Sequence, residues 1–154
     1  IQRRIGCNGR HIKVIKIKTM RVIAGYNTTV TCCNDPRITI SGAFFRRTKI
    51  DELPQLWNIF MGNMSFVGPR PDVPGFADKL QGEERAILSI RPGITSPATL
   101  KYKNEEKLLA KQSNPEKFNC EVIWPDKVAI NLEYIQNWSL GNDLKYILQT
   151  VFHQ

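Results

Sequence analysis

Apolar and polar residues alternate near the start of the chain and give way to helical spacing further on. From His11 to Ile23 the β-branched residues Ile12, Val14, Ile15, Ile17, Val22 and Ile23 are interleaved with Lys13, Lys16, Lys18 and Arg21, the pattern of a strand with one side toward a core. The phase slips between Val14 and Ile15, which predicts a bulge, and Tyr26 to Thr31 supplies the return strand of a hairpin. Asn34-Asp35-Pro36 turns the chain, and Ser41 caps a short helix through Lys49. Leu53, Leu56, Trp57, Phe60 and Met64 recur at i, i+3, i+4, i+7 and i+11, so a second helix is predicted, with Asp51 and Glu52 at its entrance. Pro54 falls in its first turn, where a helix has no use for the missing N–H.

Gly68-Pro69-Arg70-Pro71 cannot be helical and predicts a rigid loop. Phe76 to Ile90 reads as a helix ended by Arg91-Pro92-Gly93, and Asn104 to Gln112 as another. Pro125 opens a helix carrying Val128, Leu132 and Ile135, and after Gly141 a last helix carries Leu144, Ile147, Leu148 and Val151. The sum is an α+β class, a helix-rich single domain with a small N-terminal antiparallel hairpin and amphipathic helices suited to a membrane surface.

Composition narrows the picture. The 154 residues, 42% hydrophobic and 23% charged, suit one compact core. Cys7, Cys32, Cys33 and Cys120 have neither disulfide-framework nor zinc spacing, which points to a reducing compartment. No apolar run is long enough to span a bilayer. The chain opens on Ile1, and a longer protein is expected to continue upstream.

Charge is uneven. Residues 1–49 hold eleven Lys or Arg against the single acid Asp35, a local +10 within an overall +8, so the remainder nets −2. Such a segment calls for an anionic partner: nucleic acid, an acidic membrane surface or a phosphorylated small molecule. Nucleic acid lacks support, because no recognition motif occurs and residues 1–25 carry no aromatic ring other than His11.

Few residues have the context that chemistry requires. His11 and His153 have no orienting neighbour in sequence, and no Gly-rich phosphate loop occurs. Asp51-Glu52 at a predicted helix start, just after Arg46, Arg47 and Lys49, is a stronger candidate. There an ionised Asp51 can attack phosphorus, and Glu52 can help hold a divalent cation. Alternatively the two acids only complement the helix dipole and pair with the arginines. Arg70, fixed between Pro69 and Pro71, suits bidentate phosphate recognition or an ordinary surface turn.

Order and spacing add a further level. Lys16-Ile17-Lys18-Thr19-Met20, Asp35-Pro36-Arg37-Ile38-Thr39, Arg46 followed by Asp51-Glu52-Leu53-Pro54-Gln55-Leu56-Trp57-Asn58, then Met64 to Pro71, Arg91-Pro92-Gly93-Ile94-Thr95 and Asn137-Trp138-Ser139-Leu140 resemble the bacterial sugar transferase family. These are monotopic polyprenyl-phosphate phosphoglycosyl transferases, and the likeness runs from about Gln2 to Val151. The resemblance implies that Asp51 is a nucleophile that takes the sugar phosphate from a nucleotide-sugar donor, by default a uridine diphosphate sugar. A polyprenyl phosphate acceptor such as undecaprenyl phosphate then takes it from Asp51, the first step of a membrane-linked glycan. It implies that Glu52 completes the dyad, that Asp51 and Glu52 hold Mg2+, and that Lys16, Lys18, Arg46, Pro69, Arg70 and Pro71 form the substrate site. It also implies work at the cytoplasmic face of the bacterial inner membrane. The alternative is an inactive or truncated relative acting as a membrane-surface module.

The chain departs from the family's pattern in three places. Lys18 stands where arginine is usual, so a bidentate contact becomes a point charge. Ser96-Pro97-Ala98-Thr99-Leu100 replaces a Gln followed by an Asn-Gly-Arg cluster, which leaves Lys101 or Lys103 as substitutes for the arginine. The family's hydrophobic N-terminal membrane-inserted segment would come before the motif around Arg3 and Gly6, and is expected either to lie upstream of Ile1 or, in a truncated relative, to be lacking. The sugar, the nucleotide and the oligomeric state stay open.

Overall fold

The hairpin forms earlier than the alternation suggests. In a computed structural model that describes residues 1–24, 28, 30–32 and 35–152, β1 (Gln2–Ile5) pairs antiparallel with β2 (His11–Val14), from Gln2 opposite Val14 to Ile5 opposite His11. A 3₁₀ turn over Cys7–Gly9 joins them, with Asn8 and Gly9 at φ +56° and +75°. Asn-Gly is the residue pair that tolerates two successive left-handed positions, so residues 8 and 9 carry the hairpin signal that the strand pattern obscured. The expected return strand at Tyr26 to Thr31 is therefore not the partner of β2, and residues 25–27 and 29 lie outside the described residues.

At the predicted bulge the ladder ends. The Asn58 side chain takes its place, accepting from the Ile15 N–H at 3.0 Å and donating to the Lys13 carbonyl at 2.7 Å. Residues 15–20 continue without sheet partners until Met20 makes a single bridge to Ile38.

Helix α1 (Ile40–Arg47) is capped by Thr39 and not by Ser41, the Thr39 hydroxyl accepting the Gly42 N–H at 3.0 Å. A 3₁₀ turn over Ile50–Glu52 leads through Pro54 into α2 (Gln55–Phe60), so the predicted helix is shorter than its apolar spacing and ends before Met64. The face is also inverted. Gln55 and Asn58 are buried, whereas Leu53, Leu56, Trp57 and Phe60 are exposed and Met64 alone of the five is inside.

Two short strands that the sequence reading did not expect, β3 (Ser65–Val67) and β4 (Gly93–Thr95), pair in parallel. Between them the expected helix at Phe76 to Ile90 is two 3₁₀ segments, Ala77–Lys79 and Gly82–Leu88, separated where Gly82 takes φ +58°. Beyond β4 come α3 (Pro97–Lys101), α4 (Glu105–Leu109) and α5 (Pro115–Phe118). A π-turn over Asn119–Ile123 runs straight into α6 (Trp124–Gln136), in which the Trp124 N–H bonds the Asn119 carbonyl. Pro125 thus does not open a fresh helix; the widened turn before it makes room for a ring that would clash with a regular helical carbonyl.

Helix α7 (Leu140–Phe152) starts one residue before Gly141, with the Ser139 hydroxyl accepting the Asn142 N–H at 3.2 Å. It packs on the β3–β4 pair, where the Thr95 and Thr150 hydroxyls meet at 2.6 Å. The main core gathers Ile5, Ala77, Ile87, Leu88 and Val128, flanked by Leu80, Trp124, Leu132 and Ile135. The α+β class and the small N-terminal hairpin stand as expected.

Candidate active site

The site is assembled from three backbone segments, each held by contacts that the sequence encodes locally. The first is the extended stretch carrying Lys16. Asn58 grips it at Ile15, the Ile17 N–H bonds the Asp51 carbonyl at 3.0 Å, and the Thr39 N–H bonds the Thr19 carbonyl at 3.1 Å. Gly42 makes the close approach of α1 possible, since a Cβ there would lie 2.1 Å from the Thr19 oxygen. Behind this stretch Arg37 binds the buried Asp35 carboxylate through Nε at 3.0 Å and Nη2 at 2.6 Å, and also reaches the Thr28 and Val30 carbonyls. The Asp35-Pro36-Arg37 motif is therefore a brace. The Arg37 hydrogen bonds hold the Asp35 carboxyl below the usual range even though burial opposes them.

The second segment is the dyad turn. Lys49, in the left-handed region at φ +56°, swings the chain out of α1 so that Asp51 and Glu52 point inward from the 3₁₀ turn. The third is the proline loop. Gly68 and Gly93 touch backbone to backbone, where a Cβ on Gly93 would lie 2.2 Å from the Gly68 nitrogen. The Gly93 N–H fixes the Pro69 carbonyl at 2.9 Å, and the Ile5 N–H fixes that of Asp72 at the same distance. Arg70 is thereby held between two anchored residues.

These segments bring Lys16, Asp51, Glu52 and Arg70 together. Asp51 is 1% exposed and Glu52 8%. Lys16 Nζ stands 2.8 Å from Asp51 Oδ2 and 3.3 Å from Glu52 Oε1. The approach to Asp51 is an ion contact off the line of a hydrogen bond, so both buried Asp51 oxygens lack a hydrogen-bond partner. Arg70 grips Glu52 with both terminal nitrogens, Nη1 lying 3.3 Å from Oε2, while its side chain as a whole is 43% exposed. Burial pushes the Glu52 carboxyl up, but Arg70, Lys16 and Lys49 outweigh it and hold the group down at about 2. Asp72, two residues beyond Arg70, shows the opposite balance: burial raises it to about 6 despite Lys127, Arg70 and Arg4.

Pro69 and Pro71 flank Arg70 in the anchored loop, whereas two other residues assigned to the substrate site stand apart from the dyad. Lys18 is exposed and makes none of the ion pairs that tie Lys16 and Arg70 to the dyad. Arg46 leaves α1 toward α4, where it pairs with Glu106 and donates to the Met20 sulfur at 3.8 Å. Lys101 is held by Asp126 at 2.7 Å, together with the Tyr102 hydroxyl. Sequence reading assigned no role to Asn58, and it named Lys49 only as a base beside the dyad, not for its backbone. A polar residue recurring on the face of α2 that bears Gln55 was the available signal for Asn58.

Among the described residues no group of three His, Cys, Asp or Glu could hold a metal alone. The orphaned Asp51 oxygens beside Glu52 nevertheless fit Mg2+, which is commonly held by one or two carboxylates with substrate phosphates and water completing the shell.

The sequence profile described as "Bacterial sugar transferase" matches residues 1–154. The chain belongs to this family. It is 35% identical, over 98% of its length, to "UDP-glucose:undecaprenyl-phosphate glucose-1-phosphate transferase" of Escherichia coli, of which it covers 31%. It is 34% identical over 97% of its length to "Exopolysaccharide production protein ExoY" of Sinorhizobium fredii and to "Galactosyl transferase CpsE" of Streptococcus agalactiae, covering 66% and 33% of them. It thus spans between 31% and 66% of the length of these relatives. As a bacterial sugar transferase domain, the chain concentrates the family's central motifs on the dyad turn and the proline loop.

Proposed function

We propose that this domain transfers a sugar 1-phosphate from a nucleotide-sugar, a uridine diphosphate sugar by default, to undecaprenyl or a similar polyprenyl phosphate through an aspartyl intermediate on Asp51. The observation that carries the reading is a buried carboxylate with two unbonded oxygens, set among Lys16, Glu52 and Arg70. An Asp51 oxygen forms a bond to the phosphorus nearest the sugar as the bond from that phosphorus to the bridging oxygen breaks. Nucleoside monophosphate leaves with the electron pair. A polyprenyl phosphate oxygen next bonds the same phosphorus, the Asp51–phosphorus bond breaks, and the carboxylate is restored.

Arg70, whose side chain is partly exposed, meets donor phosphate oxygens as charge builds on them. Glu52, held ionised by its cations, shares the metal with Asp51. Mg2+, when bound there, neutralises phosphate charge that Lys and Arg alone leave uncovered.

Names of relatives support the substrates: one acts on UDP-glucose and undecaprenyl phosphate, and others are named for exopolysaccharide production and galactosyl transfer. The acceptor's chain requires a membrane, and no helix among the described residues is long and apolar enough to cross one. The outward apolar face of α2 and the leucines Leu140, Leu144 and Leu148 of α7 supply a surface that lies on an acidic leaflet, which the basic N-terminal third attracts.

The test is a panel of nucleotide-sugars incubated with the protein and Mg2+, without acceptor. The right donor releases about one equivalent of nucleoside monophosphate and leaves a phosphosugar on Asp51, and full turnover with acceptor gives parallel double-reciprocal plots. Release that depends strictly on acceptor, with intersecting plots and unlabelled Asp51, establishes direct transfer instead.

A further inference from the structure

Asp51 is the group that must be reached, yet it is 1% exposed, and the nearest charge to it is not a substrate group but the Lys16 ammonium. That ammonium contacts one oxygen of each acid, Asp51 Oδ2 at 2.8 Å and Glu52 Oε1 at 3.3 Å, and so bridges the two carboxylates as a cation would. The backbone around Lys16 is clamped by Asn58 on one side and by the Ile17–Asp51 hydrogen bond on the other. Only the flexible side chain is free to leave. Lys16, Arg70, Asp51 and Glu52 together sum to zero charge, so a divalent ion entering among them meets a cluster that is already neutral.

We propose that Lys16 is an internal counter-cation of the dyad, covering Asp51 and competing with the divalent ion for the same pair of carboxylates. The inference rests on the reading of Asp51 and Glu52 as metal ligands. It reconciles the substrate-site role that the motif implies for Lys16 with the observation that its ammonium stands against Asp51. When a divalent ion takes the carboxylates, the ammonium is released within reach of the donor phosphates that arrive with it. One side chain thus holds the nucleophile before binding and meets the anion after it. Lysine suits this exchange because its ammonium is a compact point charge on a flexible stem, whereas an arginine fork would hold both acids in fixed geometry.

Mn2+ binding followed by electron paramagnetic resonance tests this without requiring turnover. Lys16→Met removes the competing charge and is expected to tighten Mn2+ binding about tenfold, the order expected when one unit charge is taken from a partly buried site. Lys16→Gln, a polar replacement, is expected to tighten it similarly and covers the case in which the methionine variant does not fold. Lys16→Arg keeps the charge and holds both acids more rigidly, so it is expected to leave Mn2+ affinity at or below the native value. Glu52→Gln weakens binding in either background. If Glu52→Gln weakens binding while neither neutral replacement of Lys16 tightens it, the counter-cation is refuted and the metal site stands. If Glu52→Gln has no effect, the metal reading falls and takes this inference with it.

Discussion

Around α6 and around α2 the molecule buries opposite kinds of side chain. Beside α6, Ile5, Ala77, Ile87, Leu88 and Val128 are inside, each removing apolar surface from water for roughly 25 cal/mol per Å². Beside α2, the buried residues are Asp51, Glu52, Gln55 and Asn58, and the apolar ones face outward, with Phe60 79% exposed. Polar groups in that position stabilise only where they find partners. Asn58 has two backbone hydrogen bonds and Glu52 has Arg70, but the Asp51 oxygens have only the ion contact of Lys16. One region supplies folding free energy, and the other holds an arrangement that costs stability and keeps a carboxylate reactive.

The largest effect expected from this contrast is at Asp51. Asp51→Asn keeps the shape and removes the nucleophile, so monophosphate release and the covalent adduct fall on the order of 10⁴-fold or more. The melting temperature is expected to change little, because Asp51 makes no hydrogen bond and Lys16 keeps its contact with Glu52. Steady-state assays and calorimetry on the same preparation check both halves. A variant that unfolds while the surviving protein keeps its rate breaks the comparison.

The mirror experiment lies in the main core. Ile87, 4% exposed, fills space between the 3₁₀ segment and α6, so Ile87→Ala is expected to lose about 3 kcal/mol of stability, within the range of large-to-small core changes. Urea denaturation measures it. Catalytic rate per folded molecule is expected to change much less than stability, since Ile87 lines a cavity beside Arg70 but takes no part in the ion pairs among Lys16, Asp51, Glu52 and Arg70.

What was legible in the sequence follows the same division. Where apolar residues face inward, as in α6, spacing located the helix and its core positions Val128, Leu132 and Ile135. In α2 the spacing marked an amphipathic helix correctly, but periodicity does not say which side is wet, and the apolar side proved to be the outer one. The β3–β4 pair was missed because three-residue strands have too few positions to alternate, and the Gly68–Gly93 contact that closes it is a long-range event. Motif order assigned Asp51, Glu52, Lys16 and Arg70 to one site, and the fold joins them. It could not reveal that Arg46 turns to Glu106, since that depends on where α4 packs.

A smaller effect is expected from the two carboxyls whose acidities are moved in opposite directions. Glu52 is held at about 2 against an ordinary 4.5, so the stability it contributes is fully present above pH 4.5 and disappears as pH falls through 2. Asp72 is raised from 3.8 to about 6, so the folded state binds the proton more tightly and stability declines as pH rises between those values. Melting temperature against pH is therefore expected to climb on the acid side and sag toward pH 6. Glu52→Gln removes the climb and Asp72→Asn removes the sag. If Glu52→Gln leaves the acid limb unchanged, Arg70 and Lys16 do not stabilise the Glu52 charge.

The smallest change in stability, and the one that decides what the outward face is for, is expected on α2 itself. Trp57 and Phe60 stack with ring centroids 5.5 Å apart while 57% and 79% exposed, so removing either ring takes little apolar area out of the folded interior. Trp57→Ser and Phe60→Ser are expected to shift stability by no more than about 0.5 kcal/mol, as for ordinary surface sites. If the face lies on a membrane, the same changes lower partitioning into vesicles containing anionic lipid several-fold each, since the lost area is area that lipid would have covered. Raising the salt weakens binding of the native protein by screening the basic N-terminal third, but leaves the ratio between native and variant unchanged, because the apolar term does not depend on ionic strength. Vesicle sedimentation at two salt concentrations separates the terms. Loss of several kcal/mol in either variant with undiminished vesicle binding would place these rings in the fold and not on the lipid.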